Sequence, residues 1–431
     1  MHRHGLLELR GALWVKPALA VVLSLIIGAV LSQVELTEAS LIGRLAFRGD
    51  ADDARQLLTT VTGTMITVTS LVFVLTVVAL QIASTQYSPR LMRTFLRDNG
   101  TQVVLSTFVG TVAYSLAGLY TVGGETAAGE RFVPRLAVSV SLVLALISVG
   151  MLVYYIQHFT NGIRINTIMR RIEGSTLMLV QSALPPAGAD VADVAPPDVP
   201  VDARVVTATR AGYVQGFELD RAHRAAARDD LYVRYRVIVG YHVIRGMPVA
   251  WVWGGRGDAG HDAAVARSGV DIEPERRFEN DFGFALRQLV DIGLRAVAPS
   301  RNDPYTAVQA IHHLTAVLAE AAARPFVPGH RADADGTVRV WAPVDAFDVH
   351  LRTVCDHLRW STVTEPRVTL ALLRLLGNVG AACSDPRRVA AIRQQVALVL
   401  DDAEREIPQP ADLEAIRRTA ALAERCEPVR F

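Results

Sequence analysis

Lysine is almost missing from this chain: Lys16 is the only one among 44 basic residues. That excludes a Walker A phosphate loop, a Schiff base and a lipoyl or biotin attachment point. Cysteine is scarce as well. Cys355, Cys383 and Cys426 stand far apart with no C-x-x-C pairing, and they read as free thiols in a reducing compartment. Net charge is only +1 over 431 residues, so the basic excess of a nucleic-acid binder is lacking. No H-x-x-x-H or H-E-x-x-H spacing occurs, and the adjacent pair His312-His313 points to different helix faces, so no metal site is expected. G-x-S-x-G, the kinase set and a dinucleotide fingerprint are absent too. The glycine-rich GGRGDAG (Gly254–Gly260) follows a Trp-rich strand and reads as a surface loop. The chain is therefore expected to be no enzyme and to carry no cofactor.

Hydrophobic runs are what the sequence does have. Val61–Ser84 holds no charged residue, and a spanning helix needs about 20 mostly apolar residues. Three more stretches qualify: about Leu13–Ser32, Val103–Val122 and Pro134–Tyr155. A cleaved signal peptide is the rival reading of the first, since Arg3 and Arg10 precede it. The expected fold class is an α-helical membrane protein with four transmembrane helices and a cytoplasmic α+β region. Its expected parts are a membrane domain (1–160), a helical extension with a Pro/Ala-rich linker (161–200), a small barrel-like β unit (201–260) and a helical domain (261–431).

Orientation follows from arginine and lysine beside the spans. One side carries Arg3, Arg10, Lys16, Arg90, Arg93, Arg97, Arg164, Arg170 and Arg171; the other carries Arg44, Arg48, Arg55, Arg131 and Arg135. The larger group belongs inside. Both termini are expected in the cytoplasm of a bacterial inner membrane.

Within the second span, Thr62, Thr69 and Thr76 recur at seven-residue spacing and so share one helical face. Ser70 flanks them and Gln81 lies toward the cytoplasmic end. Two readings stand. The hydroxyls line a conduit, replacing part of an ion's hydration shell, or they pack against neighbouring helices at little cost. No ionisable residue lies in the interior of the spans, which argues against a proton relay. In the third span Gly110, Tyr114 and Gly118, and Thr107, Thr111 and Ser115, are spaced by four, as close helix packing requires. After the second span Ser88-Pro89 starts a short helix with Arg90, Arg93 and Arg97 on one face. They suit a lipid headgroup or another anion, or serve as an ordinary positive-inside anchor.

Beyond the linker, alternation in LYVRYRVIVGYHVIRGMPVAWVW predicts strands, and from Glu279 onward the pattern is helical. Asn302-Asp303-Pro304 marks a helix start, with Asn302 or Asp303 as cap. Arg287, Asp291 and Arg295 lie on the preceding helix at ion-pair spacing.

The block Thr67–Gly100, TVTSLVFVLTVVALQIASTQYSPRLMRTFLRDNG, resembles a bacterial membrane-protein family, the domain of unknown function numbered 2254. So does Phe278–Leu314, FENDFGFALRQLVDIGLRAVAPSRNDPYTAVQAIHHL. The resemblance runs from about residue 15 to about residue 400. Arg301 departs from it, since the family usually places an aliphatic residue before Asn-Asp-Pro. The resemblance implies a four-span inner-membrane protein and brings no substrate or catalytic residue. The chemistry itself leads first to a homo-oligomeric passive channel for an inorganic ion, lined by the second span. A non-conducting scaffold or sensor, whose cytoplasmic region binds a partner or small ligand, is the alternative. The expected partners are the bilayer and further copies of the chain, not nucleic acid.

Overall fold

A computed structural model describes residues 14–34, 46–86, 99–123, 132–162, 164–189, 191, 194–255, 258–277 and 280–428. The chain divides into two units, Met1–Ile168 and Met169–Phe431.

The first unit is helical: α1 (Val15–Leu31), α2 (Ala51–Gln86), α3 (Asn99–Thr121) and α4 (Arg135–Gly162). Three of its segments, Ala51–Val78, Asn99–Thr121 and Arg135–Gly162, are long and apolar enough to cross a membrane. The 17 residues of α1 make a shorter apolar helix, roughly 26 Å at the usual rise per residue. Helix α2 starts ten residues before the uncharged stretch begins at Val61. The cause is a reciprocal cap: the Asp53 N–H donates to Asp50 Oδ1 at 2.8 Å and the Asp50 N–H to Asp53 Oδ2 at 3.4 Å. Acidic side chains in that first turn also suit the positive end of the helix dipole.

One face of α2 is buried, along Leu58, Thr62, Met65 and Val72. It packs on Val104 and Phe108 of α3 and on Val138 and Tyr155 of α4. Outward-facing Ile66, Phe73 and Val74 stay exposed, as a helix in lipid requires. Small residues bring α1 and α3 together. A Cβ at Gly28 would stand 2.8 Å from the Ala117 methyl, and one at Gly110 3.0 Å from Ser24 Oγ. Between α3 and α4, Ser115 and Ser141 are hydrogen-bonded at 2.7 Å and Thr111 and Ser148 at 3.2 Å. Hydroxyl pairs of this kind satisfy polar groups where no water can.

The second unit includes most of α5 (Ile165–Ala183). Then come β1 (Arg204–Thr207), β2 (Gly212–Phe217), α6 (Leu219–Arg228), β3 (Leu231–Tyr235), β4 (His242–Val243), β5 (Pro248–Gly254), α7 (Ala259–Ser268) and β6 (Val270–Glu273). They are followed by α8 (Phe282–Val297), α9 (Pro304–Ala322), β7 (Gly329–Ala332), β8 (Val338–Ala342) and α10 to α13 (Phe347–Thr362, Pro366–Ala381, Pro386–Glu406, Pro410–Glu424). The strands form two sheets, ordered β1-β5-β3-β8-β7 and β4-β2-β6. In the larger sheet only the β3–β8 pair is parallel, Val233 facing Val340.

Three of these strands lie outside the segment expected to form the β unit. β6 follows α7, and the β7–β8 hairpin interrupts the helical pattern. That hairpin turns through Ala334–Gly336: the Gly336 N–H donates to the Asp333 carbonyl at 3.0 Å, and Gly336 takes the left-handed conformation at φ +87, as a three-residue hairpin loop requires. The alternation expected near residue 231 is present: in β3 Leu231, Val233 and Tyr235 are buried while Tyr232 and Arg234 are less so. On the outer face Arg234 lies over Trp251 and Trp341, 5.5 and 5.4 Å from their ring centres. The proline-rich linker runs along this face: Arg234 Nη1 donates to the Pro197 carbonyl at 3.1 Å and Trp341 Nε1 to that of Val194 at 3.3 Å. The later helices α9, α11, α12 and α13 each begin with proline, where a missing N–H costs nothing.

Candidate functional site

Gln215 on β2 anchors the site. Its buried side-chain Nε2 donates to the Glu275 carbonyl at 2.7 Å, and its Oε1 accepts from the Arg277 N–H at 3.2 Å. A primary amide has both a donor and an acceptor for this clamp. Between those two residues stands Arg276. Its Nε and Nη2 donate to the two carboxylate oxygens of Asp281 at 2.6 and 3.0 Å, the bidentate fork that a guanidinium forms best. Asp281 is buried and also caps α8, accepting from the Phe284 N–H at 2.8 Å. The Arg276 guanidinium lies 5.1 Å from the centre of the Phe284 ring. Gly240, at φ +84, lets the backbone approach the pair; any Cβ there would collide with both side chains.

Beside this ion pair lies a cavity of about 510 Å³. Its apolar wall includes Leu179 and Leu184 from the end of α5, Phe217 from β2, Phe282 from α8, Phe326 after α9 and Ala342 from β8. Asp281, Asp345, His350 and Asn280 supply polar groups. The rings of Phe282 and Phe326 flank His350, with centroids 4.8 and 5.8 Å away. Burial pushes the His350 imidazole down to about 4, although Asp281 and Asp348 oppose this. It is therefore neutral near pH 7. Asp345 is shifted the other way: burial raises its carboxyl, and the Asp281 charge adds to the effect while Arg276 opposes it. Asp345 makes no ion pair or hydrogen bond among the described residues. Such a site can enclose a small organic molecule: an aromatic wall, a few polar groups and a volume within the usual range for ligand pockets. Among the described residues no group of three His, Cys, Asp or Glu side chains is placed to hold a metal ion.

The residues singled out in the sequence lie elsewhere. Thr62 is buried, Thr69 and Thr76 are half-buried, and Ser70 is exposed. Each hydroxyl donates to the carbonyl four residues earlier: Thr62 to Leu58, Thr69 to Met65, Ser70 to Ile66 and Thr76 to Val72. Thr76 also meets the Tyr155 hydroxyl at 2.7 Å. Three threonines thus share the face of α2 that packs on its neighbours, while Gln81 is exposed on the same helix. Arg90, Arg93 and Arg97 lie outside the described residues. At the helical turn Asp303 is the cap, taking the Thr306 N–H at 3.1 Å and the Thr306 hydroxyl at 2.6 Å. Asn302 holds the left-handed conformation at φ +48. Pro304 opens α9, and Asp291 pairs with Arg287 at 3.1 Å.

Sequence reasoning missed the cavity. Its walls come from segments between Leu179 and His350, and no local pattern joins them. The one available signal was the polar pair Asn280-Asp281 inside an aromatic run, Phe278 to Phe284.

The model of a family described as predicted membrane protein (DUF2254) matches residues 10–378. An uncharacterized protein of Mycobacterium bovis and one of Mycobacterium tuberculosis are similar to this chain. Each is 41% identical over 423 residues, covering 96% of this chain and 80% of the relative. No solved structure matches.

Proposed function

The chain belongs to the predicted membrane protein family DUF2254, and from that premise we propose that it is a membrane-anchored receptor for a small organic ligand. The membrane part holds four crossing helices, α1 to α4. The second unit lies in the cytoplasm of a bacterial cell, as do both termini. The arginines flanking the apolar helices support this orientation, since basic residues stay on the inner side. The shorter α1 fits as the fourth crossing because 17 residues reach the lower limit for a span.

The observation that carries the ligand reading is the 510 Å³ cavity beside the Arg276–Asp281 pair. A space of this size, with aromatic walls and a few convergent polar groups, has the usual form of a small-molecule site. The channel reading, which the hydroxyl row suggests, has less behind it. Those hydroxyl protons are bonded within the helix, Thr62 is buried and Thr76 meets Tyr155 of α4, so the row fits helix packing at little cost.

The test is hydrogen exchange on the full-length protein in lipid nanodiscs, with and without three aromatic probes of different charge: tryptamine, tryptophol and indoleacetate. Slower exchange around Phe282–Ala285 and Phe347–Leu351 with any of them supports the reading. No protection by any probe at millimolar concentration would overturn it. A stepwise single-channel current in planar bilayers would restore the channel.

A further inference from the structure

The charges around the cavity do not balance, and the imbalance names a ligand class. Asp281 is neutralised by Arg276. Asp348 pairs with Arg352 at 3.0 Å. Arg388, over the Phe326 and Phe347 rings, pairs with Asp385 at 3.3 Å and donates to the Ala322 and Arg324 carbonyls. His350 is held neutral by burial. Among the described residues one carboxylate at the cavity remains, Asp345. It stands just before α10, whose cap position is Ala346, and its carboxylate takes none of the helix N–H groups among the described residues. Phe282 and Phe326 line the same cavity.

Resting on the receptor reading above, we propose that the cavity selects an organic cation with an apolar body. Asp345 serves as counter-ion to an ammonium group, while the Phe282 and Phe326 rings and the aliphatic wall take the rest. Each part has a physical reason. An unpaired carboxylate in a half-buried site regains by ion pairing what it loses in hydration. Aromatic faces attract an ammonium through the ring quadrupole. An anion would meet Asp345 and the Asp281 carboxylate together, while Arg276 already turns its Nε and Nη2 donors to Asp281.

The same three probes separate the two claims. Tryptamine is cationic at neutral pH, tryptophol is its neutral hydroxyl analogue and indoleacetate is anionic. Titration by isothermal calorimetry of the full-length protein in nanodiscs is expected to give tryptamine roughly tenfold tighter binding than tryptophol, with indoleacetate weakest. Asp345→Asn should bring tryptamine down to the level of tryptophol and leave tryptophol unchanged, while Asp345→Glu keeps the preference. Melting curves for both variants show that the fold survives, and if the asparagine variant fails to fold, Asp345→Ser replaces it. If no probe binds, the receptor reading falls. If tryptophol or indoleacetate binds as tightly as tryptamine, or the neutral variants keep the preference for tryptamine, the cation inference is overturned and the cavity remains a ligand site.

Discussion

The Thr76 and Tyr155 hydroxyls meet at 2.7 Å, between α2 and α4. Thr76 Oγ1 also donates to the Val72 carbonyl at 2.7 Å, so the Tyr155 O–H is the donor across the helix gap. Tyr155 is buried, and its hydroxyl also lies 3.4 Å from the Val72 carbonyl. In a membrane the loss of such a bond is not repaired by water, but the unfolded helices find other partners, so couplings average about 0.6 kcal/mol and reach about 1.7 kcal/mol. A double-mutant cycle of Thr76→Val and Tyr155→Phe should give a positive coupling within that range. Unfolding in mixed detergent micelles measures it. Strict additivity would mean that the two hydroxyls do not meet.

The Arg276–Asp281 pair and Gly240 form a second test. Asparagine caps helices as well as aspartate does, so Asp281→Asn removes the ion pair and keeps the cap. The expected cost is about 2 kcal/mol, below that of a fully buried pair because Arg276 is a third exposed. Asp281→Ala should cost about 1 kcal/mol more through the lost cap. Gly240→Ala combines a left-handed backbone with a clash and should cost at least about 2 kcal/mol. Denaturant melts of the three variants give the order: wild type above asparagine, asparagine above alanine. An Asp281→Asn variant as stable as wild type would show that the pair adds nothing.

These two regions differ in how far the sequence reveals them. Seven-residue spacing of Thr62, Thr69 and Thr76 identifies their common face correctly, because helical periodicity is local. It does not say what covers the face. Val104, Phe108 and Tyr155 do so from other helices. Membrane character shows plainly in the apolar runs. The strands of the second unit show only in part: β3 alternates visibly, whereas β7 and β8 are short and were masked by the helical pattern around them. Asp335-Gly336 held the turn signal. The cavity is the least legible feature. Leu179, Phe217, Asp281, Phe326, Ala342 and His350 come together through tertiary packing alone, and nothing near any one of them predicts the others.

Thiol chemistry checks the orientation. Cys355 is fully buried, and burial pushes its thiol well above the ordinary range, so it should resist alkylation in the folded protein. Cys426 is half-buried and should be modified by maleimide once the reagent reaches it. In intact cells a membrane-impermeant maleimide is expected to spare Cys426, and to label it after the membrane is permeabilised. A Cys355→Ser, Cys383→Ser background isolates the signal. Labelling of Cys426 in intact cells would place the second unit outside.

His350 is expected to couple the stability of the second unit to pH. Its imidazole has an ordinary value of 6.5 and is lowered to about 4 in the folded chain, chiefly by burial. The unfolded chain therefore binds a proton between those values while the folded chain does not. Stability falls as pH drops from about 6.5 to about 4, and this contribution flattens below. The difference corresponds to roughly 3 kcal/mol. His350→Gln has no titration and should lose this slope while keeping a polar, similarly sized group between Phe282 and Phe326. Its own stability at pH 7 should drop by about 1 kcal/mol from poorer ring packing. Melting temperatures of both proteins at pH 7, 5.5 and 4.5 decide the matter. Wild type should lose ground to the variant at each acidic step, and parallel curves would show that His350 is not the group that couples folding to protons.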